Sequence, residues 1–257
     1  FAGRYTTGTK ICISGSNGKT TVTNLIYHML KKAGMNAAMT GNVGNSFAMA
    51  VAEGSYDYYV IELSSFQLDG MYDFKADIAV LMNITPDHLD RYGYEFQNYI
   101  DSKFRITQNQ TASDFLIYWD GDPVIKKELQ KRQLPVTLLP FSDELSEGMA
   151  AYVENNELII DHPNKTNLMT IHELALKGRH NTSNSMAAAI AGKVLNIRKE
   201  AIRESLADFQ GVEHRLEPVI TVCGVSFIND SKATNVNSSW YAIECMENKI
   251  IWIAGGI

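Results

Sequence analysis

The sequence has little of what marks several large protein classes. No apolar run approaches the roughly 18 residues that span a bilayer, so we expect no membrane insertion. Positive charge is in deficit, with 23 Lys and Arg against 29 Asp and Glu, which argues against a nucleic-acid-binding protein. The three cysteines, Cys12, Cys223 and Cys245, have no metal-site spacing. Two lie in apolar, strand-like stretches, so we expect buried free thiols in a cytoplasmic protein.

What is present is typical of a globular protein. The 257 residues fit one large domain or two modest ones, and the hydrophobic fraction of 45% is ordinary. The chain starts without methionine and ends at "IIWIAGGI", a strand-like run reaching a glycine pair. We therefore interpret the sequence as part of a longer protein.

Strand-like and helical stretches alternate along the first half. Strands are predicted at "KICISG", "NAAMT", "DYYVIEL", "DIAVLMN" and "DFLIYW". Helices are predicted from Lys19 and over Ser46–Ala52, Glu95–Gln108 and Pro123–Gln130, with "SSFQLDG" and "TPDHLDRYG" as loops. This alternation predicts an α/β fold, in which helices flank a mostly parallel sheet.

The pattern changes near Met149. "AAYVENNELII" predicts a hairpin that turns at Asn155-Asn156, and "PVITVCGVSFIND" predicts a second that turns at Gly224. Helices are predicted over residues 181–195 and 199–208, and a helix and the strand "KIIWIAGG" end the chain. The first hairpin predicts a small antiparallel subdomain. We place a domain boundary at residues 211–214, which gives domains of 1–211 and 212–257.

The stretch "SGSNGKTT" resembles a phosphate-binding loop with one departure. In the common pattern G-x-x-x-x-G-K-[ST], the first glycine would stand at Ile13, whereas here it stands at Gly15. Amide groups at a helix start attract anions, Lys19 adds a mobile charge, and Thr20 can bind magnesium. The alternative is a plain strand–turn–helix connection with a surface lysine.

Further polar residues follow predicted strands. Glu62 ends one strand and His88 follows the next, so both are expected at the edge of the sheet where ligands bind. Taken alone, Glu62 can equally be a solvated strand end and His88 a structural histidine. Lys103 by itself is typical of a surface lysine. Asn181 in "GRHN" can contact a ligand or cap a helix.

Seven motifs occur in the order seen in the Mur ligases of peptidoglycan synthesis, and the sequence resembles that family over nearly its whole length. They are "GSNGKTT", "GNVG", "ELSSFQL", "NITPDHLDRYG", "GRHN", "EHRLE" and "NDSKATN". The family's shorter loop, G-x-x-G-K-[ST]-[ST], accounts for Ile13. The resemblance implies a P-loop-type central ATPase domain at 1–211 and the beginning of a Rossmann-like domain at 212–257. It also implies that the family's amino-terminal UDP-binding domain is absent.

"ELSSFQL" and "NDSKATN" resemble the branch of the family that adds D-glutamate. The implied reaction joins D-glutamate to UDP-N-acetylmuramoyl-L-alanine at the expense of ATP, through an acyl phosphate, in a cytoplasmic monomer. ATP and two Mg²⁺ ions are the implied cofactors. Another amide ligase of the superfamily (a different Mur ligase or folylpolyglutamate synthase) and a non-catalytic nucleotide-binding module are the alternatives. We expect the 257 residues alone to lack ligase activity.

The resemblance also assigns roles to single residues. Lys19, His88 and Lys103 are implied as catalytic, with Lys103 carbamylated. Implied ATP contacts are Gly15, Ser16, Asn17, Gly18, Lys19, Thr20, Thr21, Asn181, Arg215, Asp230, Lys232 and Thr234. Implied contacts to the substrate are Asn42, Ser64 and His88. Implied metal ligands are Thr20, Glu62, His88 and Lys103.

Overall fold

The computed structural model describes residues 1–246 and 248–255. It divides into two compact units, Phe1–Gln210 and Gly211–Ile257. The strands of the first unit are β1 (Thr9–Ser14), β2 (Ala37–Gly41), β3 (Tyr58–Glu62), β4 (Ile78–Leu81), β5 (Phe115–Trp119), β6 (Thr137–Phe141), β7 (Ala151–Glu154), β8 (Glu157–Asp161) and β9 (Lys165–Thr170). Its helices are α1 (Lys19–Lys32), α2 (Phe47–Glu53), α3 (Ser65–Asp69), α4 (Phe96–Phe104), α5 (Pro123–Lys131), α6 (Arg179–Val194) and α7 (Lys199–Asp208).

Within the described residues, the nine strands of the first unit form one sheet in the order β2-β3-β1-β4-β5-β6-β7-β8-β9. Every pairing from β2 across to β7 is parallel, and β7-β8 and β8-β9 are antiparallel. The mostly parallel α/β sheet is therefore confirmed. The predicted antiparallel subdomain is the edge of this same sheet and not a separate body, because β7 pairs with β6 at Phe141–Ala151.

The central strands are apolar because both faces of the sheet are covered. Ile11, Cys12 and Ile13 of β1 are fully buried, as are the residues of β4. The predicted apolar stripe of α1, which includes Val22, Leu25 and Ile26, is buried. Burial of these side chains is the main free-energy gain on folding and fixes the strand register beneath the loops described below.

Several local predictions were wrong. The stretch after Glu62 is the short helix α3 and not a loop, because Ser64 and Gln67 form a capping box that satisfies its first amides. The predicted loop at "TPDHLDRYG" contains a 3₁₀ helix, Leu89–Tyr92. The helix predicted up to Gln108 ends at Phe104 and continues as a 3₁₀ turn. Strands β6 and β9 were missed, since β6 contains Pro140, which argues against a strand, and β9 is a mixed polar sequence without an apolar run.

The second unit contains the predicted hairpin, β10 (Glu217–Val222) with β11 (Val225–Asn229), and a helix, α8 (Val236–Glu244). Cys223 lies at the turn of the hairpin with a φ of 49° and is exposed, so the expectation of a buried thiol is right for Cys12 and wrong for Cys223. Residues 249–255 form no strand, since no described strand pairs with them; the last residues of the predicted strand lie outside the described part of the chain. Among the described residues, no helix is long and apolar enough to cross a membrane.

Candidate active site at the carboxyl edge of the sheet

The sheet order brings three loops to one edge. Strand β1 lies between β3 and β4, with Ile13 opposite Glu62 and Ser14 opposite Leu81. The segments that leave these strands therefore emerge side by side at the carboxyl edge, where α/β sheets bind ligands. These segments carry the predicted phosphate loop, Glu62 and the turn with His88.

The loop between β1 and α1 needs both of its glycines. Gly15 has a φ of 142°, and a Cβ there would lie 3.1 Å from Met82 Cβ and 3.2 Å from the backbone of Asn83. Gly18 has a φ of 85°, and a Cβ there would lie 2.6 Å from Asn184 Oδ1. The loop is thus packed closely between the end of β4 and the first turns of α6. Only glycine fits this approach without strain.

Asn83, which sequence reasoning missed, holds the loop in place. Its carbonyl accepts from Ser16 N at 2.8 Å and its Oδ1 from Asn17 N at 2.8 Å, while its Nδ2 donates to Asn17 O at 3.1 Å. The side-chain amide thereby bonds to both backbone groups of Asn17, as a neighbouring strand would. The asparagine of "MNIT" just after a buried strand was the available signal.

The Ser16 hydroxyl faces the protein. It donates to Thr85 O at 2.9 Å, accepts from Thr85 N at 2.9 Å and lies 3.0 Å from Tyr99 Oη. The residue is buried. Its side chain fixes the loop to α4 and to the segment after β4, and its amide donates to Asn83 O, so both of its polar groups hold the loop in place.

Two lysines converge on the loop. Lys19 Nζ donates to Gly15 O and Ser16 O, each at 2.9 Å. Lys103 Nζ, from α4, donates to Gly15 O at 2.9 Å and lies 3.4 Å from Ser14 Oγ. The interpretation of Lys103 as a surface lysine is wrong, because only 2% of the residue is exposed. Helix α4 turns this residue toward the sheet, which a single lysine in a sequence does not reveal.

Burial and the nearby charge of Lys19 hold the pKa of Lys103 well below its usual range. Both effects disfavour the ammonium form, and three nearby carboxylates, among them Asp87, offset them only in part. An amine in this setting loses its proton more readily than an exposed lysine does, which favours the neutral, nucleophilic form.

Glu62 is a buried carboxylate with one unsatisfied oxygen. Its Oε1 accepts from Asn42 Nδ2 at 2.9 Å, whereas Oε2 has no hydrogen-bond partner, and the residue is 1% exposed. Such an oxygen is costly unless a cation or a donor occupies the space it faces. The backbone amide of Asn42 donates to Glu62 O at 3.0 Å, which holds Asn42 beside the carboxylate. The pair suits a hard cation.

His88 stands further out. Its backbone is left-handed, with a φ of 50°, and 56% of its side chain is exposed. The ring lies 5.2 Å from Phe66, and Nε2 lies 3.8 Å from Asp87 Oδ1. No three His, Cys, Asp or Glu side chains in the described residues lie close enough to hold a metal. A magnesium site needs only one or two protein carboxylates, because waters and phosphate oxygens complete the ligands of the ion.

Ser64 and Asn181 have structural partners. Ser64 caps α3: its hydroxyl accepts from Gln67 N and lies 3.0 Å from Gln67 Oε1. Asn181 lies inside α6, whose cap position is Gly178, so the alternative of an asparagine cap is wrong. Its Nδ2 donates to Lys177 O and its Oδ1 accepts from Asn184 Nδ2 at 3.1 Å. Through Asn184, this network contacts the phosphate loop at Gly18.

A cavity of about 330 Å³ opens beside the start of α6. Apolar side chains from β7 and from the segment before α6 form part of its wall, and the paired side chains of Asp143 and Arg179 lie on its polar side. Its lining residues are Asp143, Val153, Ile171, His172, Leu176, Lys177, Gly178, Arg179 and Thr182.

The remaining predicted residues belong to the second unit. Asp230 Oδ1 accepts from Leu216 N at 3.1 Å, and burial raises the pKa of its carboxyl. Arg215 Nε is buried without a hydrogen-bond partner. Lys232 N donates to His214 O at 3.1 Å, and Thr234 follows in the loop before α8. Arg215 Nε is thus a donor that a ligand could bind, whereas Asp230 already holds the backbone of Leu216.

Comparison with known proteins assigns the family. The Mur ligase middle domain matches residues 13–192, from β1 to α6, a span that includes the phosphate loop, Glu62, His88 and Lys103. The chain belongs to the Mur ligase family.

A named relative supports this assignment, and two solved structures show the same fold. The chain is 60% identical over 256 residues to UDP-N-acetylmuramoylalanine–D-glutamate ligase from Bacteroides fragilis. The match covers all of this chain and 57% of that relative. MurF from Acinetobacter baumannii has 21% identity and a TM-score of 0.76, covering 95% of this chain and 55% of that one. MurF ligase from Thermotoga maritima, in complex with ADP, has 19% identity and a TM-score of 0.70, covering 95% and 58%.

Proposed function

We propose that this chain is the ATP-binding part of an enzyme that joins D-glutamate to UDP-N-acetylmuramoyl-L-alanine in peptidoglycan synthesis. One observation carries the proposal. A glycine-constrained phosphate loop, a buried carboxylate with an unsatisfied oxygen and a buried lysine meet at a single edge of the sheet. This is the set needed to bind a nucleoside triphosphate with a cation and to place its terminal phosphate.

The substrates are proposed from the relatives. A chain 60% identical along its whole length to a D-glutamate ligase supports D-glutamate as the amino acid and UDP-N-acetylmuramoyl-L-alanine as the acceptor. The chain spans 57% of the length of that relative. We place the central ATPase domain at 1–211 and the beginning of the next domain at 212–257. A cytoplasmic monomer is part of the same proposal.

The residues around the loop would divide the work of phosphoryl transfer. Asn83 already binds the amides of Ser16 and Asn17, so the other amides of the loop 15–21 would hold the β- and γ-phosphates. The Lys19 ammonium would join them after it leaves the carbonyls it now contacts. Thr20, Glu62 and His88 would hold magnesium. Bound magnesium would neutralise charge that develops on the phosphate oxygens. Little covalent chemistry is asked of these side chains, because positioning and charge neutralisation lower the barrier.

The acceptor carboxylate would attack the γ-phosphorus of ATP, form an acyl phosphate and release ADP. The amine of D-glutamate would then attack the acyl carbon, lose a proton and expel phosphate. We propose that Asn42, Ser64 and His88 orient the acceptor. Asn181, Arg215 and Asp230 would contact the nucleoside, and Lys232 and Thr234 the transferred phosphate.

Lys103 fits this site best as a carbamate. An ammonium would repel a metal ion, but a neutral amine can form an N–C bond with CO₂ and release one proton to solvent. The product is an anion able to bind or orient a second magnesium ion. The lowered pKa of the buried amine favours this reaction.

Release of ADP by the full-length enzyme tests the proposed function. We expect release that requires UDP-N-acetylmuramoyl-L-alanine, Mg²⁺ and D-glutamate together. Glu62→Gln should reduce kcat by roughly 100-fold or more, whereas Glu53→Gln, an exposed position on α2, should have little effect. Release with L-lysine or meso-diaminopimelate but not D-glutamate would assign the enzyme to another branch. Ligation by residues 1–257 alone would contradict the proposed division into domains.

A further inference from the structure

The motif "ELSSFQL" contains a phenylalanine that the proposed chemistry does not use. Phe66 lies on α3, four residues after Glu62, and is 36% exposed at the carboxyl edge. Single exposed apolar side chains are ordinary on protein surfaces, so the contacts of Phe66 decide what it does.

Phe66 contacts three residues of one turn. The imidazole of His88 lies 5.2 Å away between ring centroids, Arg91 Cζ lies 4.3 Å over the Phe66 ring, and the Tyr92 ring stacks at 6.4 Å with an interplanar angle of 13°. Ring–ring and cation–ring contacts at these distances are favourable even at partly exposed positions. One side chain of α3 therefore holds the turn 88–92.

A second anchor links the same turn to the neighbourhood of Lys103. Tyr92 Oη donates to Asp69 Oδ2 at 2.9 Å and lies 3.2 Å from Ser102 Oγ, and Ser102 in turn donates to Ser65 O at 3.0 Å. Helix α3 thus holds the turn 88–92 in two places, through the ring of Phe66 and through the carboxylate of Asp69. The turn needs such support, because His88 holds a left-handed backbone that costs a residue with a Cβ about 1 kcal/mol or more.

We infer that Phe66 is a positioning residue for His88. Its ring fixes the turn 88–92 and thereby sets where the imidazole stands at the carboxyl edge. The inference rests on the proposed function, in which His88 meets magnesium or substrate. It explains the phenylalanine in a motif whose glutamate and serine already have roles. A displacement of about 1 Å at a reacting group can cost on the order of 100-fold in rate.

The experiment compares Phe66→Leu and Phe66→Tyr in the full-length enzyme. The first readout needs no ligand: the His88 Hε1 resonance in ¹³C-histidine-labelled protein, assigned with His88→Gln. The second is kcat and KM with ATP, D-glutamate and the UDP-linked acceptor. Tyr72→Leu is the matched control, because Tyr72 is an exposed aromatic residue that packs with Arg105 at 5.5 Å elsewhere on the surface.

We expect Phe66→Leu to move the His88 resonance toward that of an unstructured histidine and to lower kcat about 10- to 100-fold. KM for ATP should change little, and Phe66→Tyr should keep both the resonance and the rate. Phe66→Met, measured beside it, repeats the test if the leucine variant is unstable. An unmoved resonance, an unchanged kcat in the leucine and methionine variants, or an equal effect of Tyr72→Leu would overturn the inference. If the proposed function fails instead, the wild-type enzyme lacks D-glutamate-dependent ADP release while the resonance still reports the ring contact.

Discussion

Lys19 and Lys103 donate to the same carbonyl oxygen, that of Gly15, each at 2.9 Å. One lysine comes from the start of α1 and the other from α4, 84 positions later in the chain. Two ammonium groups on one oxygen repel each other, and the more buried of the two loses its proton more easily. The loop therefore places the Lys19 cation, which suits phosphate, beside a lysine whose lowered pKa favours the neutral amine.

Lys103 should be the site of CO₂ addition. With ¹³C-bicarbonate, we expect a carbamate carbon signal in the wild-type enzyme that is absent from Lys103→Ala and present in Lys31→Ala, an exposed lysine of α1. Because the pKa of Lys103 is lowered, the neutral amine persists to a lower pH than in exposed lysines, and the signal should fade as protonation sets in. Lys103→Ala should lose roughly 100-fold or more in kcat and recover in part with short-chain acids. Full activity of Lys103→Ala that is indifferent to added acids would refute the carbamate.

Gly18→Ala should weaken ATP binding about tenfold or more, because the new methyl group meets Asn184 Oδ1 at 2.6 Å and the positive φ costs about 1–2 kcal/mol. Gly34→Ala is the control, since Gly34 has a φ of 75° at the end of α1 and nothing within 4 Å of the added carbon. It should lower stability by about the same 1–2 kcal/mol without changing ATP affinity. Calorimetric titration with ATP and thermal unfolding measure both effects. Equal losses of ATP affinity in the two variants would show that backbone strain and not the contact with α6 is responsible.

Asn83→Ala should raise the Kd for ATP about tenfold, since the loop loses two hydrogen bonds of about 0.5–1.5 kcal/mol each. The effect should fall on KM for ATP more than on kcat. Asn109→Ala serves for comparison, because the Asn109 amide also holds backbone carbonyls, those of Tyr72 and Phe74, away from the phosphate loop. That variant should lose stability and keep its ATP affinity. If Asn83→Ala binds ATP as the wild type does, the amide does not organise the loop.

Asp77 should make the first unit sensitive to acid. Burial alone would raise the pKa of this carboxyl, but hydrogen bonds and ion pairs with Lys10 and Lys75 lower it below 3.8. A lowered pKa stabilises the fold above the unfolded value near 3.8, and this contribution disappears as the pH falls through the folded value. At pH 7, Asp77→Asn should cost about 1–2 kcal/mol of unfolding free energy, and the difference from wild type should close in acid.

Chemical denaturation at a series of pH values measures this effect. Asp73→Asn is the control, because the ion pair of Asp73 with Arg4 is exposed and such pairs contribute little. A gap between wild type and Asp77→Asn that stays constant as the pH falls below the unfolded value of 3.8 and through acid unfolding would contradict the assignment.

The sequence by itself determined the parts of this protein that are local or periodic. Alternating apolar stretches predicted the parallel sheet, and glycine, lysine and threonine at a helix start predicted the phosphate loop, because these signals lie within a few neighbouring residues. Glu62 and His88 were expected at one edge for the same reason, since both directly follow strands.

Only the tertiary structure decided the burial of Lys103, the hold of Asn83 on Asn17 and the contact of Phe66 with His88. Each joins residues from different elements, and the pairing depends on which strands become neighbours. The order β3-β1-β4 places Asn83 beside the loop, and the packing of α4 turns Lys103 inward. A lysine or an asparagine has the same local preferences on a surface as in a site, so the decision belongs to long-range packing and to the cost of burying a charge.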